Sequence, residues 1–541
     1  MAQRTISGKV TDDSGEGLPG VNVVIKGTTT GVTTDLDGNY QISVEDGTTL
    51  TFSYVGFETQ EVAVGSRTAI DVTLGGATEL QEVVVTAAAI EREKRSIGYG
   101  ISQVDGKDLT VARETNIVNA LQGKTTGVIV NNTSGNPGGS SQVIIRGITS
   151  LAGNNNPLWI VDGIPIFNSQ TVTGSRISGN RDTFNGAAVI NPDDVESMSI
   201  LKGAAATALY GSRAAAGAII VTTKKGKKNN GGPQISINST FRVDELFREP
   251  DMQYEFAGGV LAKYDSSVVV NAFGSRINGQ LVNNHLGDQV ALKAHEENYK
   301  DFYETGKTFI NNIAIADADE RGDYRLSVTS LNQDGVLPGA SLDRLTVSMN
   351  AGVKHNDWLN TRFGIQYISS DVEGTGAQGA NDLNVLGWTT FTPTTDFNLF
   401  KPWVDGCGNQ INNIVGSNNP FWTRFENINR REDDRMIASL TQVVTPIENV
   451  NITSRIGYDY NIDRRLLTNK VGTITALTGT YTVDNFVREQ FNWDVIADYS
   501  TNFGDVSLTT LAGYNFNSRE TRQETLDASD LAIPELFSPS A

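Results

Sequence analysis

The chain has 541 residues, with 43 Lys plus Arg against 62 Asp plus Glu and a formal net charge of -19. A polypeptide this acidic is a poor neutraliser of phosphates, which argues against nucleic acid as a partner. A single cysteine, Cys407, excludes a disulfide framework and a thiolate-rich metal site.

The three histidines are His285, His295 and His355, and HEENYK at His295 lacks the second His of a zinc-binding helix. GNPGGSSQ at 135–142 lacks the Lys-Ser/Thr ending of a phosphate loop. No paired acid/base or nucleophile constellation is recognisable, so neither an enzyme nor a cofactor or metal site is expected. No apolar run reaches the length of a membrane helix, so any span has to be a β-barrel. MAQRT is not a full signal peptide, and Gln3 fits a mature start left by signal peptidase as well as it fits an arbitrary one.

Residues 1–78 are expected to form a small β-sandwich. TISGKVTDDSGEGLPGVNVVIKGT reads as strand, Gly/Asp/Pro turn, strand. GVTTDLDGNYQISV reads as a hairpin turned at Asp37-Gly38, and TLTFSYVGFETQEVAV supplies Leu50, Phe52 and Tyr54 before a break at Gly56. TDLDGNY resembles a calcium loop but lacks the downstream Glu and flanking helices, and is read as a turn. Residues 79–95 contain ELQEVVVTA, a short β-branched run with no hairpin partner beside it. Such a strand is either a handle for another chain's sheet edge or a linker strand docked on the neighbouring domain.

Residues 96–230 predict an α+β domain. TNIVNALQGKTTGVIV is expected to open a helix capped by Thr115 and closed by Gly123. SSQVIIRGI, PLWIVDGIPI, VESMSILKG and GAIIVTTKKG read as strands, and AAATALYGSRAAAGA as a short helix followed by a Gly-rich turn.

From residue 231 to 541 the pattern becomes strict alternation. In FNWDVIADYS, Phe491, Trp493, Val495, Ala497 and Tyr499 share one face, and Asn492, Asp494, Ile496 and Asp498 the other. VSLTTLAGYNF and VNITSRIGYDY repeat this. Strands of about ten residues with one apolar face, one polar face and aromatics toward their ends predict a partial antiparallel transmembrane β-barrel with lipid outside. A soluble sandwich or solenoid is the alternative. Roughly nine such strands follow residue 232. Residues 371–434 carry little strand pattern and read as one long functional or mobile loop.

Taken in order, three segments resemble a known architecture: the sandwich, LQEVVVTA, and the run from NALQGKTTGVIV through IIRGITS and PLWIVDGIPI to NPDDVESMSILKGAAATALYGSRAAAGAIIVTTKKG. They resemble the carboxypeptidase-regulatory-like domain, TonB box and plug of SusC/RagA-type TonB-dependent outer-membrane transporters. The resemblance implies TonB-driven import of an oligosaccharide or oligopeptide across the outer membrane. It also implies a periplasmic N-terminal domain and TonB box, and a SusD-like surface lipoprotein as lid. A receptor for another ligand class such as an iron chelate, or a non-transport surface β-protein, are the alternatives. Such barrels close with about 22 strands, more than this chain supplies, so it is expected to be the N-terminal part of a longer protein.

The resemblance places the TonB contact at Glu82, Val83, Val84, Val85, Thr86 and Ala87. Within the plug, Asp162-Gly163 is expected to be a tight turn, and Gly147, Lys202 and Gly203 to be structural. Arg146 and Arg213 are expected at the interface with the barrel, paired with carboxylates of its wall. Trp159, Trp388, Phe391, Trp403 and Trp422 are candidate platforms for sugar rings or peptide side chains.

Overall fold

The computed structural model describes residues 4–12, 15–28, 30–45, 47–54, 57, 59–75, 83–85, 91–93, 100–150, 155–168, 178–182, 185–203, 206–207, 210–229, 231–249, 251–267, 271–284, 287–379, 392–411, 418–474, 476–504, 506–533 and 536–537.

The N-terminal unit is built of two sheets. Strands β1 (Arg4–Thr11), β4 (Asn39–Val44) and β7 (Val72–Thr73) form one sheet. Strands β2 (Asn22–Ile25), β3 (Gly31–Thr33), β5 (Thr49–Ser53) and β6 (Gln60–Ala63) form the other. Alternate residues of both, among them Ile6, Val23, Ile42, Leu50 and Phe52, fill one core, which is the expected sandwich. The Tyr40 ring meets Phe52 edge-on at 5.4 Å, and its hydroxyl donates to Ile70 O at 2.8 Å.

GVTTDLDGNYQISV is not a hairpin: β3 pairs with β2 and β4 with β1, so the segment crosses between sheets. A Gly at positive φ (Gly38, φ 84) marks the turn but does not say which strand pairs with which. The Asp35 carboxylate accepts from the backbone N–H groups of Asp37 and Asn39, an Asx-type corner. Strand β8 (Val83–Val85) pairs with β9 (Glu91–Glu93). The valine run therefore does have a nearby backbone partner, outside both sandwich sheets. Glu82, Thr86 and Ala87 lie outside the described residues.

The α+β domain has a five-stranded sheet. Its strands are β10 (Ile101–Asp105), β13 (Leu158–Val161), β14 (Ile164–Pro165), β16 (Val195–Leu201) and β17 (Ala218–Thr223), in the order β10-β16-β17-β13-β14. A hairpin of β11 (Val128–Asn132) and β12 (Ser141–Ile145) packs against it. The helix expected from Thr115 shrinks to a 3-10 turn at Asn119–Leu121. Asn116, not Thr115, organises it, its side chain accepting from the Val118 N–H at 3.0 Å. Among the described residues a helix stands earlier, at Gly106–Val111. The small-residue segment after β16 ends in a 3-10 turn, Gly211–Ala214.

The rest is one antiparallel sheet of nine strands among the described residues, in chain order. They are β18 (Gln234–Asp244), β23 (Gly306–Ala318), β24 (Gly322–Asp334), β25 (Ser341–Asn356), β26 (Leu359–Glu373), β28 (Asn429–Ile447), β29 (Val450–Asn469), β30 (Thr480–Phe503) and β31 (Val506–Ser529). The strands run from 11 to 24 residues, longer than the alternation suggested, because they continue past the apolar band. One end of the sheet has tight turns, as at 319–321, 357–358 and 448–449. The other carries the connections 245–305, 374–428 and 470–479. That asymmetry is typical of outer-membrane barrels.

The faces are as expected: Trp493 (40% exposed) and Tyr499 (41%) point away from the plug. Asp494 points inward and accepts from Asn515 Nδ2 at 2.6 Å. An outward apolar face and an inward polar one overturn the soluble-sandwich alternative, since such a sandwich buries its aromatics between sheets.

The connection 374–428 is not structureless. It contains β27 (Ala377–Gly379), a 3-10 turn at Phe397–Phe400 and a helix at Pro420–Phe425. Strand β27 pairs with β15 (Ser178–Arg181), a segment of the α+β domain, so main-chain bonds tie domain to loop.

Candidate functional site: the plug–wall seam and the aromatic cap

The seam is built from short polar turns of the plug meeting inward-facing side chains of the wall. Asn191-Pro192 opens the 3-10 turn Pro192–Asp194, with Asn191 capping and Pro at the first position. The turn delivers Asp194 to the wall and sets Asp193 beside Arg113 of the plug. Asp194 accepts from Arg325 Nη1 at 2.6 Å, Ser348 Oγ at 2.8 Å and Asn191 Nδ2 at 2.9 Å. Asp193 pairs with Arg113, which also donates to Thr240 Oγ1 of β18 at 3.1 Å.

Elsewhere the wall's arginines satisfy plug carbonyls. Arg344 donates to Thr115 O and Ala188 O, each at 3.2 Å. Arg435, held by Asp459, donates to Gly186 O at 2.6 Å and Phe167 O at 3.0 Å. Gln490 Nε2 donates to Pro165 O at 2.6 Å. The contacts run from Thr240 on the first wall strand to Asn517 on the last. A plug whose backbone carbonyls are claimed by fixed wall side chains is held tightly, yet by polar bonds that water can replace if the seam opens.

Asp162-Gly163 is the tight turn expected, with φ of 48° and 86°. The Asp162 carboxylate accepts from Thr223 N and Oγ1, which fixes it to β17. Gly163 lies under Arg455, whose Nη1 would be 2.2 Å from an added Cβ, so the guanidinium would have to move, and the φ of 86° strains any other residue there. Gly147 and Gly203 also have positive φ. Lys202 Nζ donates to Thr126 O at 2.8 Å, joining β16 to the segment before β11.

Arg213 is at the wall, half-buried, but its partner is the Asn517 side-chain oxygen at 2.8 Å rather than a carboxylate. Arg146 does not meet the expectation. It is exposed, in a left-handed conformation (φ 59), and no ion pair joins it to a wall carboxylate among the described residues. It follows directly on β12, and its guanidinium lies beside Gly203 of the plug, with Nη1 3.5 Å from where a Cβ there would stand.

Of the aromatic candidates, Trp159 is fully buried in the plug core, on a strand flanked on both sides in its sheet. Trp422 is also fully buried, its indole N–H donating to Thr473 Oγ1 at 2.9 Å and Lys470 lying over its ring. Neither is a ligand platform. Trp403 is half-buried, stacked on Phe425 at 5.0 Å, and donates to Glu426 Oε1 at 2.9 Å. Trp388 and Phe391 lie outside the described residues.

Trp403 belongs to a small core at the long-connection end, with Phe302, Phe397, Phe400 and Phe421. Asn419 caps the helix beginning at Pro420 and also donates to Phe400 O and Ile411 O, which explains why this polar loop is ordered. The seam residues Asp193, Asp194, Arg325, Arg435 and Asp459 were not singled out from the sequence. NPDDVES and REDDR carry the charges, but nothing local to either run says which partner each charge meets.

Two family models match the chain: a TonB-dependent receptor plug domain over residues 93–218 and a CarboxypepD_reg-like domain over residues 6–85. TonB-dependent receptor SusC of Bacteroides thetaiotaomicron is 28% identical over 79% of this chain and 40% of its own length. Residues 6–85 and 93–218 thus match the regulatory-like and plug domains found in TonB-dependent receptors, and the chain is similar to SusC along most of its length. TonB-dependent receptor P26 of Formosa agariphila is 29% identical over 84% of this chain and 42% of its own length. The RagAB peptide importer in its open-open state has the same fold, with a TM-score of 0.65 at 19% identity over 85% of this chain and 51% of that one. The chain spans about half the length of the relatives it matches, and the nine strands among its described residues correspond to part of a barrel wall.

Proposed function

We propose that this receptor chain is part of an outer-membrane importer that takes up an oligosaccharide or an oligopeptide. Its plug gates a barrel, TonB supplies the pull through the segment around Val83–Val85, and a SusD-like surface lipoprotein acts as lid. The division into an N-terminal domain (1–78), TonB box and linker (79–95), plug (96–230) and barrel (231–541) belongs to the same reading, with the first two parts in the periplasm.

One observation carries it. The plug is lodged against the wall by a continuous polar seam from Thr240 to Asn517, while the wall's other face is apolar. A plug that fills a membrane wall and is bonded to it by exchangeable polar contacts is a gate that needs work to open. The match to SusC and the fold shared with a peptide importer favour a polymeric nutrient over an iron chelate as cargo.

The test is uptake by the native strain, its deletion and the complemented deletion, on a panel of oligosaccharides and oligopeptides, with and without a proton uncoupler. Import of at least one panel member that needs both the receptor and the proton gradient is the expected result. Unchanged uptake of every panel member in the deletion would overturn it.

A further inference from the structure

Strand β15 of the plug pairs with β27 of the connection 374–428, and the two sides of this ladder are fastened to different parts of the molecule. The ladder is antiparallel and short. Ser178 stands opposite Gly379, Asn180 opposite Gln378 and Arg181 opposite Ala377, and the register slips between Ser178 and Asn180.

On the plug side the anchor is Asp182, which follows β15 directly and is buried. Its carboxylate accepts from Ser134 Oγ at 2.6 Å, Ser140 Oγ at 2.6 Å and Ser140 N at 2.9 Å. Both serines lie in the tip that joins β11 to β12. Asn116 ties that hairpin back to the plug, its Nδ2 donating to Ser141 Oγ at 3.1 Å. On the wall side, Gly374 N donates to Asn429 O of β28 at 2.9 Å, and Asn429 Nδ2 donates to Thr375 O. Arg424 clamps the same stretch, donating to Gly374 O at 2.5 Å and to Pro338 O, between β24 and β25, at 2.8 Å. Strand β27 starts just beyond these bonds and is held to the wall by them.

We propose that the β15–β27 ladder is a main-chain latch between the plug and the connection 374–428, and that it has to part when the gate opens. The inference rests on the import reading and adds to it the place where the plug lets go. If the plug moves and the wall stays, either the ladder or the bonds to Asp182 must break. A two-stranded ladder this short is marginal by itself, and water replaces its backbone bonds. Pulling Asp182 from its donors would strand a buried carboxylate, which costs far more. The ladder is the weaker link. Residues 178–182 therefore travel with the plug, and β27 stays on the wall.

The latch is tested by locking it. Arg181→Cys and Ala377→Cys are combined in a receptor that also carries Cys407→Ser, so that its two thiols face each other across the ladder. Opposed residues of an antiparallel ladder lie within disulfide reach. Oxidation should join them and cut uptake of a panel member to the level of the deletion strain, and reductant should restore it. Each single-cysteine receptor should import normally in both states, as should a control pair within the wall, Val328→Cys with Val347→Cys. In the purified receptor the disulfide should raise the urea concentration at which β16 loses exchange protection, a readout that needs no cargo. Cysteines that do not couple, uptake unchanged by the disulfide, or an unmoved urea midpoint would each overturn the latch. If the native strain imports no panel member, the import reading falls separately, and the urea midpoint decides whether the ladder ties plug to wall.

Discussion

Arg325 Nη1 of β24 lies 2.6 Å from Asp194 Oδ1 of the plug, and both side chains are almost wholly buried. The pair joins the plug to the wall, the two parts that separate when the gate opens on the function proposed above. Arg325 also donates to Asp193 O at 3.2 Å, and Lys224 N donates to Asp194 O at 2.8 Å, so the 3-10 turn, the wall and the strand end at Thr223 meet at one point. Both carboxylate oxygens of Asp194 are bonded there, which makes removal of one charge expensive.

Asp194→Asn should therefore loosen the plug. Breaking one member of a buried pair costs about 3–5 kcal/mol, because the other charge is left without its counter-ion. The expected readout is a lower urea midpoint for release of the plug and faster amide exchange across β16, with the strands of the wall unaffected. Arg325→Met combined with Asp194→Leu should recover part of the loss, since an apolar pair leaves no orphaned charge. An unchanged midpoint in Asp194→Asn would mean that the other seam bonds hold the plug alone.

The second prediction concerns pH at the aromatic cap. Burial lowers the His295 pKa below its usual value, against the opposing pull of Asp396, whose Oδ2 is 3.8 Å from Nδ1. The folded loop thus prefers neutral imidazole and binds fewer protons than the unfolded loop. Its stability is intact above the unfolded value of about 6.5 and declines as pH falls through that value toward the folded one. The His295 N–H donates to Pro393 O at 2.8 Å and reports on this docking. Its exchange protection, corrected for intrinsic rate, should be lower at pH 5.5 than at 7.5. His295→Gln should abolish the difference, and equal protection in the unsubstituted receptor would contradict the argument.

How far these features could be read in advance depends on whether the chemistry is local. Alternation in FNWDVIADYS placed Trp493 outward and Asp494 inward, because a two-residue period fixes the face of every side chain at once. VDGIPI gave its turn for the same reason: Asp-Gly is a local conformational preference. The seam was not legible, since Asp194 and Arg325 are brought together only by the packing of plug on wall. Trp159 looked like a candidate platform because an aromatic between Leu158 and Ile160 reads alike in a core and on a surface. Its place beside β17 in the sheet buries it. Arg146 misled for a related reason, as the left-handed turn that ends β12 carries no signature in IIRG.

A third prediction comes from the N-terminal unit. Residues 4–75 have a core of their own, with Ile6, Val23, Leu50 and Phe52 fully buried. Residues 1–78 expressed alone should fold and unfold cooperatively on heating, with a β-type far-ultraviolet spectrum, and should bind neither panel oligosaccharides nor panel peptides. A random-coil spectrum would move the domain boundary, and cargo binding would change the domain's role.

The last prediction concerns the handle. Val83–Val85 pairs with Glu91–Glu93, a two-strand contact outside the sandwich sheets. An isolated two-stranded ribbon is only marginally stable in water, so exchanging β9 for a strand of a partner sheet costs little. If TonB takes hold there, the decisive group is the backbone N–H of the run and not the valine side chain. Val84→Pro removes one donor from the ladder and should reduce uptake to the level of a strain lacking TonB, with the amount of receptor in the outer membrane unchanged. Val84→Thr keeps both the N–H and the β-branched shape and should import normally. Both receptors are compared in the deletion strain on a panel member that the native strain imports. Normal uptake with Val84→Pro would sink the handle reading and leave the run as a linker strand. Loss in both variants would point to a side-chain contact, and the main-chain mechanism would fall.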